Sequence, residues 1–138
     1  MEQLINKYQS LIKSENAFER ALQLYKNPPL VVDNQAMREA VTASVIKHFE
    51  LFYETFCKYL RLYLFVQYGI DVTGSRTIFR SCYDQKIITE TELKQLFEVI
   101  EIRNATAHVY DEERAQKLSA IIAEYTAPMK KVVQQVKA

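Results

Sequence analysis

Residues 44–61 read SVIKHFELFYETFCKYLR. Within them Val45, Phe49, Phe52, Phe56 and Leu60 recur every three or four positions, the spacing that puts side chains on one face of an α-helix. Val41 carries that face one turn upstream. Asp33 or Asn34 supplies an N-cap, and the helix is expected to run to about Gln67, with Gly69 ending it. Its later half, ETFCKYLRLYLFVQY, is apolar around more than half its circumference. One core face does not use that much apolar surface, so a second packing surface is expected, most economically another copy of the chain. The plainer alternative is a central helix inside a monomeric core.

The pattern continues on both sides. Leu4, Tyr8, Leu11, Phe18, Leu22 and Tyr25 make residues 2–26 an amphipathic helix, stopped by Asn27-Pro28-Pro29. Glu15 stands where Leu or Phe would continue the stripe and reads as a carboxylate at its edge. Thr73-Gly74-Ser75 can cap a short helix over 76–84, and Thr89-x-x-Glu92 is a capping box opening the next. There Leu93, Leu96, Phe97 and Ile100 form the core stripe, and the helix is expected to reach about Ala107. Asp111, followed by Glu112 and Glu113, is an N-cap with an acidic first turn, favoured by the helix dipole. The last helix is expected from about Glu112 to Val136, with Pro128 kinking it or marking an end and a restart. Only two glycines and three prolines break 138 residues that are 49% apolar, so the chain should be helical throughout. The expected architecture is all-α: one domain over 1–138, an antiparallel up-and-down four-helix bundle with one short extra helix, homodimeric.

Composition excludes several classes. A formal charge of +1 gives no global field to recruit nucleic acid, so polyanion binding must come from a local patch. Arg76 and Arg80, four apart, could add phosphate contacts, although a solvated face is the plainer reading. Cys57 and Cys82 are too few and too scattered for a disulfide framework or a zinc site, and Cys57 reads as a buried free thiol. The start, MEQLINKYQS, lacks the apolar segment of a signal peptide. The longest apolar run, Leu62 to Val66, is far short of a membrane span. A cytoplasmic protein without membrane attachment is expected. His48, between Val45 and Phe49, reads as a packing or surface histidine, and Lys47 and Lys58 as solvated positions.

The chemistry-bearing stretch is Arg103-Asn104-Ala105-Thr106-Ala107-His108-Val109-Tyr110, at the junction of two helices. At about 100° per residue the stripe of Leu93, Leu96, Phe97 and Ile100 brings Asn104 to its centre, with Arg103 and His108 on opposite flanks. Residues five apart diverge by roughly 140°, so Arg103 and His108 can converge only if the helix frays or across a two-fold axis. The set suits phosphodiester cleavage. An imidazole can take a proton from a ribose 2′-hydroxyl or deliver one to a leaving group. A permanently charged guanidinium can hold the phosphate and offset charge in the transition state. This scheme needs neither metal nor cofactor, and none is expected. Taken alone, Arg and His five apart is a common pattern, and its plain reading is a helix C-terminus stabilised by cations.

The segment from Gly74 onward, GSRTIFRSCYDQKIITETELKQLFEVIEIRNATAHVYDEERAQKL, resembles the HEPN superfamily. More narrowly it is similar to the nucleotidyltransferase substrate-binding proteins, or HepT-like toxins. Arg103, His108 and Tyr110 meet that group's Arg-x4-His-x-Tyr signature, Asn104 is the frequent Asn after the Arg, and Asp111-Glu112 the usual acidic pair. Phe97 stands where a tryptophan is common in relatives. The resemblance implies a dimer that brings two Arg-x4-His motifs to one cleft. It also implies a partner, a minimal nucleotidyltransferase encoded with the chain. In the toxin–antitoxin version, Arg103 and His108 are the catalytic pair of a metal-independent endoribonuclease, supported by Asn104. The partner then acts as antitoxin by transferring AMP to Tyr110. The alternative is a non-catalytic subunit whose cleft binds the nucleotide or acceptor used by the nucleotidyltransferase. A third, purely structural reading makes the chain a dimerisation module with the signature as a helix cap.

Overall fold

The computed structural model describes residues 1–28 and 34–138. Among them are six α-helices and no strand: α1 (Glu2–Lys26), α2 (Gln35–Tyr68), α3 (Ser75–Asp84), α4 (Glu90–Ala105), α5 (Glu112–Tyr125) and α6 (Ala127–Gln135), with a 3-10 turn at Thr106–His108 between α4 and α5. The chain is all-α, as its periodicity requires. Pro29 and Asp33, expected at the end of α1 and the start of α2, lie outside the described residues.

α2 is the centre of the molecule: α1, α3 and α5 all pack on it, while α4 packs on α3, α5 and α6. Its spine of Val45, Phe49, Phe52, Phe56, Tyr59, Leu60 and Leu64 is buried. Aromatic rings knit the neighbours to that spine. Phe18 of α1 lies 6.1 Å from Phe49 and 5.6 Å from Phe52, and Phe79 of α3 lies 5.9 Å from Phe56. Centroid separations of this order are those of favourable tilted pairs. Val41 is half-buried rather than part of the spine, and Thr42 beside it is buried, its carbonyl accepting from the Ser119 hydroxyl of α5.

The caps follow the sequence signals. Asn34 Oδ1 accepts from the Met37 amide at 2.8 Å, and Gly69 ends α2 in the left-handed region at φ 68°. Thr89 and Glu92 form both halves of the capping box. Asp111 accepts from the Arg114 amide at 2.8 Å and opens α5.

Three expectations are corrected, and one alternative is decided. α4 ends at Ala105, not Ala107, because the Thr106 hydroxyl donates back to the Arg103 carbonyl at 2.7 Å and the chain tightens into the 3-10 turn. Of the two alternatives at Pro128, the end and restart is the one found: α5 stops at Tyr125, and Pro128 sits in the first turn of α6, where its missing N–H costs nothing. The α4 core stripe is centred differently from the sequence reading. Val99 and Ile102 are buried and Phe97 is only half-buried. Asn104, carried outward with Phe97, is exposed, and Arg103 takes the central position. Finally, Cys57 is half-buried rather than sealed in the core, while Cys82 is buried.

Candidate functional site

The three signature side chains sit on three successive pieces of backbone. Arg103 is in the last turn of α4, His108 ends the 3-10 turn, and Tyr110 lies in the short link before Asp111 caps α5. Half-buried Val109 packs against the core between His108 and Tyr110, which leaves both flanking rings turned outward. His108 Nδ1 and the Tyr110 hydroxyl are 3.1 Å apart, with ring centroids 6.2 Å apart in an edge-on arrangement. Tyr110 is 73% exposed. Over its ring lies the Arg114 guanidinium, 5.6 Å from the centroid, itself tied to Asp111 at 3.2 Å. A cation over an aromatic face is attractive, so Arg114 fixes the ring without covering the hydroxyl.

Arg103 faces the other way, toward α2. Its Nη1 donates to Thr106 Oγ1 at 2.9 Å, and its Nη2 lies 3.8 Å from Glu50 Oε2. Both ends of the Glu50 pair are 38% exposed, which makes it a solvent-screened ion pair worth about 1 kcal/mol or less. The wall behind it is polar as well. The Tyr53 hydroxyl donates to Ser75 Oγ at 2.6 Å, and Cys57 Sγ is 3.5 Å from the same oxygen. Burial pushes the Tyr53 phenol up to about 12 and raises the Cys57 thiol, while the Arg103 charge pulls weakly against both. Neither group is therefore primed as a nucleophile at neutral pH.

The structure thus brings His108 and Tyr110 together and pairs Arg103 instead with Thr106 and with Glu50 of α2. Asn104 is exposed beside them. Sequence reasoning missed Glu50, Thr106 and Arg114. For two of them the signals were present: Thr106 and Arg114 stand three and four residues from Arg103 and Tyr110, the helical neighbour spacings. Glu50 left none, because its pairing is between helices.

Among the described residues the remaining groups hold no comparable constellation. His48 Nδ1 is 2.8 Å from the Ser44 carbonyl on its own helix, the satisfied packing histidine that its position suggested. Lys47 and Lys58 are exposed, and Lys58 pairs with Glu54. Arg76 lies 4.4 Å over the Phe97 ring and 3.9 Å from Glu101, so the residue expected to sit in the core instead floors a pair of arginines. Among the described residues no three His, Cys, Asp or Glu side chains gather at metal-ligand spacing, and no helix is long and apolar enough to cross a membrane.

The sequence profile described as "Nucleotidyltransferase substrate binding protein like" matches residues 6–138. The chain belongs to this family. The match takes in α1 from residue 6, every later helix and the whole Arg103–Tyr110 stretch, in keeping with the HEPN-like resemblance of that signature. A crystal structure of a protein from Thermus thermophilus superposes with a TM-score of 0.67 at 22% identity, covering 88% of this chain and 99% of that one. At that identity the likeness concerns the fold alone. No curated protein matches the chain with significance.

Proposed function

We propose that this member of the substrate-binding family works beside a minimal nucleotidyltransferase as a metal-independent endoribonuclease toxin, silenced when AMP is attached to Tyr110. The observation that carries the reading is the exposed His108–Tyr110 pair, 3.1 Å apart, on a stretch that meets the family signature. In the active form His108 takes the ribose 2′-hydroxyl proton and returns a proton to the leaving oxygen. Arg103 holds the phosphate, and Asn104 orients it. Arg103 must first exchange its weak Glu50 pair for the phosphate, a step that the screened geometry makes cheap. We further propose that the helices form an antiparallel four-helix bundle that dimerises, so that a twin subunit completes the cleft, and that the protein acts in the cytoplasm. Attaching a nucleotide to Tyr110 would put a tethered phosphate beside His108 and occupy the anion site.

The test is cleavage of RNA by the purified protein with EDTA present. Cutting should occur with wild type and be lost in His108→Ala and Arg103→Ala, with unchanged circular dichroism. A second reading, the non-catalytic binding subunit, draws support from the separation of Arg103 from His108 within one chain. It stands if nucleotide binds but no RNA is cut under any condition.

A further inference from the structure

The 3.1 Å contact between His108 Nδ1 and the Tyr110 hydroxyl has a chemical consequence for the tyrosine itself. A phenol is a poor nucleophile until its proton is removed, and an imidazole at hydrogen-bond distance is the side chain best matched to removing it near neutral pH. We propose that His108 is the general base that activates Tyr110 as a nucleotidyl acceptor. This rests on the reading of Tyr110 as the modified residue, and it gives one imidazole two tasks: cleaving RNA, and arming the group whose modification stops cleavage.

In the transfer, Tyr110 Oη forms a bond to the α-phosphorus of a nucleoside triphosphate brought by the nucleotidyltransferase, while its proton passes to His108 Nδ1. The bond between the α-phosphorus and the bridging oxygen breaks, and pyrophosphate leaves. The imidazolium then releases its proton to water. The base must start neutral with its proton on Nε2, so that Tyr110 donates to a bare Nδ1.

Three further features fit an acceptor. The Tyr110 hydroxyl is open to a partner's active site without any unfolding, the side chain being 73% exposed. The Arg114 guanidinium over the ring favours the developing phenolate, although Asp111, which pairs with it, offsets part of that field. The chain has only two histidines, and the other, His48, is bonded to Ser44 on α2, so the exposed Tyr68, Tyr83 and Tyr125 serve as internal controls.

The experiment has two arms. In the first, the intact protein is treated with N-acetylimidazole, a tyrosine acylating reagent, and each tyrosine is followed by peptide mass. Tyr110 should react at least tenfold faster than Tyr125 at neutral pH, and His108→Ala should bring it down to the Tyr125 rate while leaving Tyr125 unchanged. In the second, the protein is incubated with the nucleotidyltransferase and magnesium ATP at neutral pH, and the gain of an AMP mass is timed. His108→Ala should gain the mass at least tenfold more slowly than wild type. A His108→Ala protein modified as fast as wild type overturns this inference and leaves the tyrosine switch standing. No mass gain in wild type, or an equal gain in Tyr110→Phe, overturns the switch itself and this inference with it.

Discussion

Arg103 has two acceptors of unequal strength, a 2.9 Å bond from Nη1 to Thr106 and a 3.8 Å ion pair with Glu50. The first is local and survives any rearrangement of α2; the second competes directly with an incoming phosphate. Glu50→Gln should therefore cost no more than about 1 kcal/mol of stability. It should also raise affinity for a short RNA several-fold at low salt, read by fluorescence anisotropy. Unchanged or weaker binding would show that Arg103 is not the anion clamp. Glu15 makes a second residue-scale case, because its Oε2 is buried without a hydrogen-bond partner. Burial raises its carboxyl, the Lys130 charge pulls it back in part, and Glu19 adds to the rise. A raised folded-state value means that the protonated form is the better tolerated one. The carboxyl's contribution to stability is complete below its unfolded value and is lost as pH rises through the folded one. Glu15→Gln should accordingly raise the melting temperature at pH 7 by roughly 1–3 °C. The gap should close toward pH 4, and a variant that melts lower than wild type at pH 7 would refute the assignment.

At the scale of the helix, ends are where local chemistry can be isolated from packing. Gly69 terminates α2 at φ 68°, and a Cβ built there meets nothing within 4 Å. Gly69→Ala thus tests backbone strain alone and should cost about 1 kcal/mol, which is about 3–4 °C in a chain of this size. Thr89→Ala removes one half of the capping box and should cost a similar amount, about 1 kcal/mol. Thermal melts of both variants check the two figures. These signals are short-range, which is why Asn34, Gly69, Thr89 and Asp111 were legible from residue order. Two boundaries were not. Pro128 marked a break but left open whether the last helix kinks or ends there. Asp111 announces where α5 begins but says nothing about where α4 ends, and that end was decided by the Thr106 hydroxyl folding back on Arg103. Phe97 misled for a related reason. Hydrophobicity placed it in the core, whereas α3 sets Arg76 and Arg80 against its ring, and this small rotation moved Asn104 outward and Arg103 inward. The His108–Tyr110 contact needed only the signature, but the Arg103–Glu50 pair joins helices far apart in the chain and has no trace in local order.

At the scale of the whole molecule, the outward side of α2 carries apolar surface that no other helix among the described residues covers. Leu51 is 46% and Phe65 56% exposed, with half-buried Leu62 between them. Separations of 11 and 14 residues are about three and four helical turns, so the three lie along one side of the helix. Asp71, Lys58 and Arg61 border the apolar strip and line the same shallow groove as Leu62 and Phe65. Arg61 pairs with Asp71 at 3.6 Å and Lys58 with Glu54 at 2.8 Å, so the rim charges are balanced within the chain and the apolar strip between them is what a second copy would cover. The proposed dimer also answers the placement of Arg103, which within one chain faces α2 rather than His108. If a twin subunit supplies the missing partner, association and cleavage must fail together. Phe65→Lys should leave the helical content nearly unchanged, because the side chain is exposed within one chain, while the melting temperature falls as the stabilisation from association is lost. It should, however, halve the mass seen by analytical ultracentrifugation at tens of micromolar and abolish RNA cutting in the same preparation. Mixing it with a His108→Ala protein should restore nothing. A wild type that sediments as a monomer while still cutting RNA would end the shared-cleft reading. The whole task of bringing guanidinium to imidazole would then fall on the rotation of Arg103 away from Glu50.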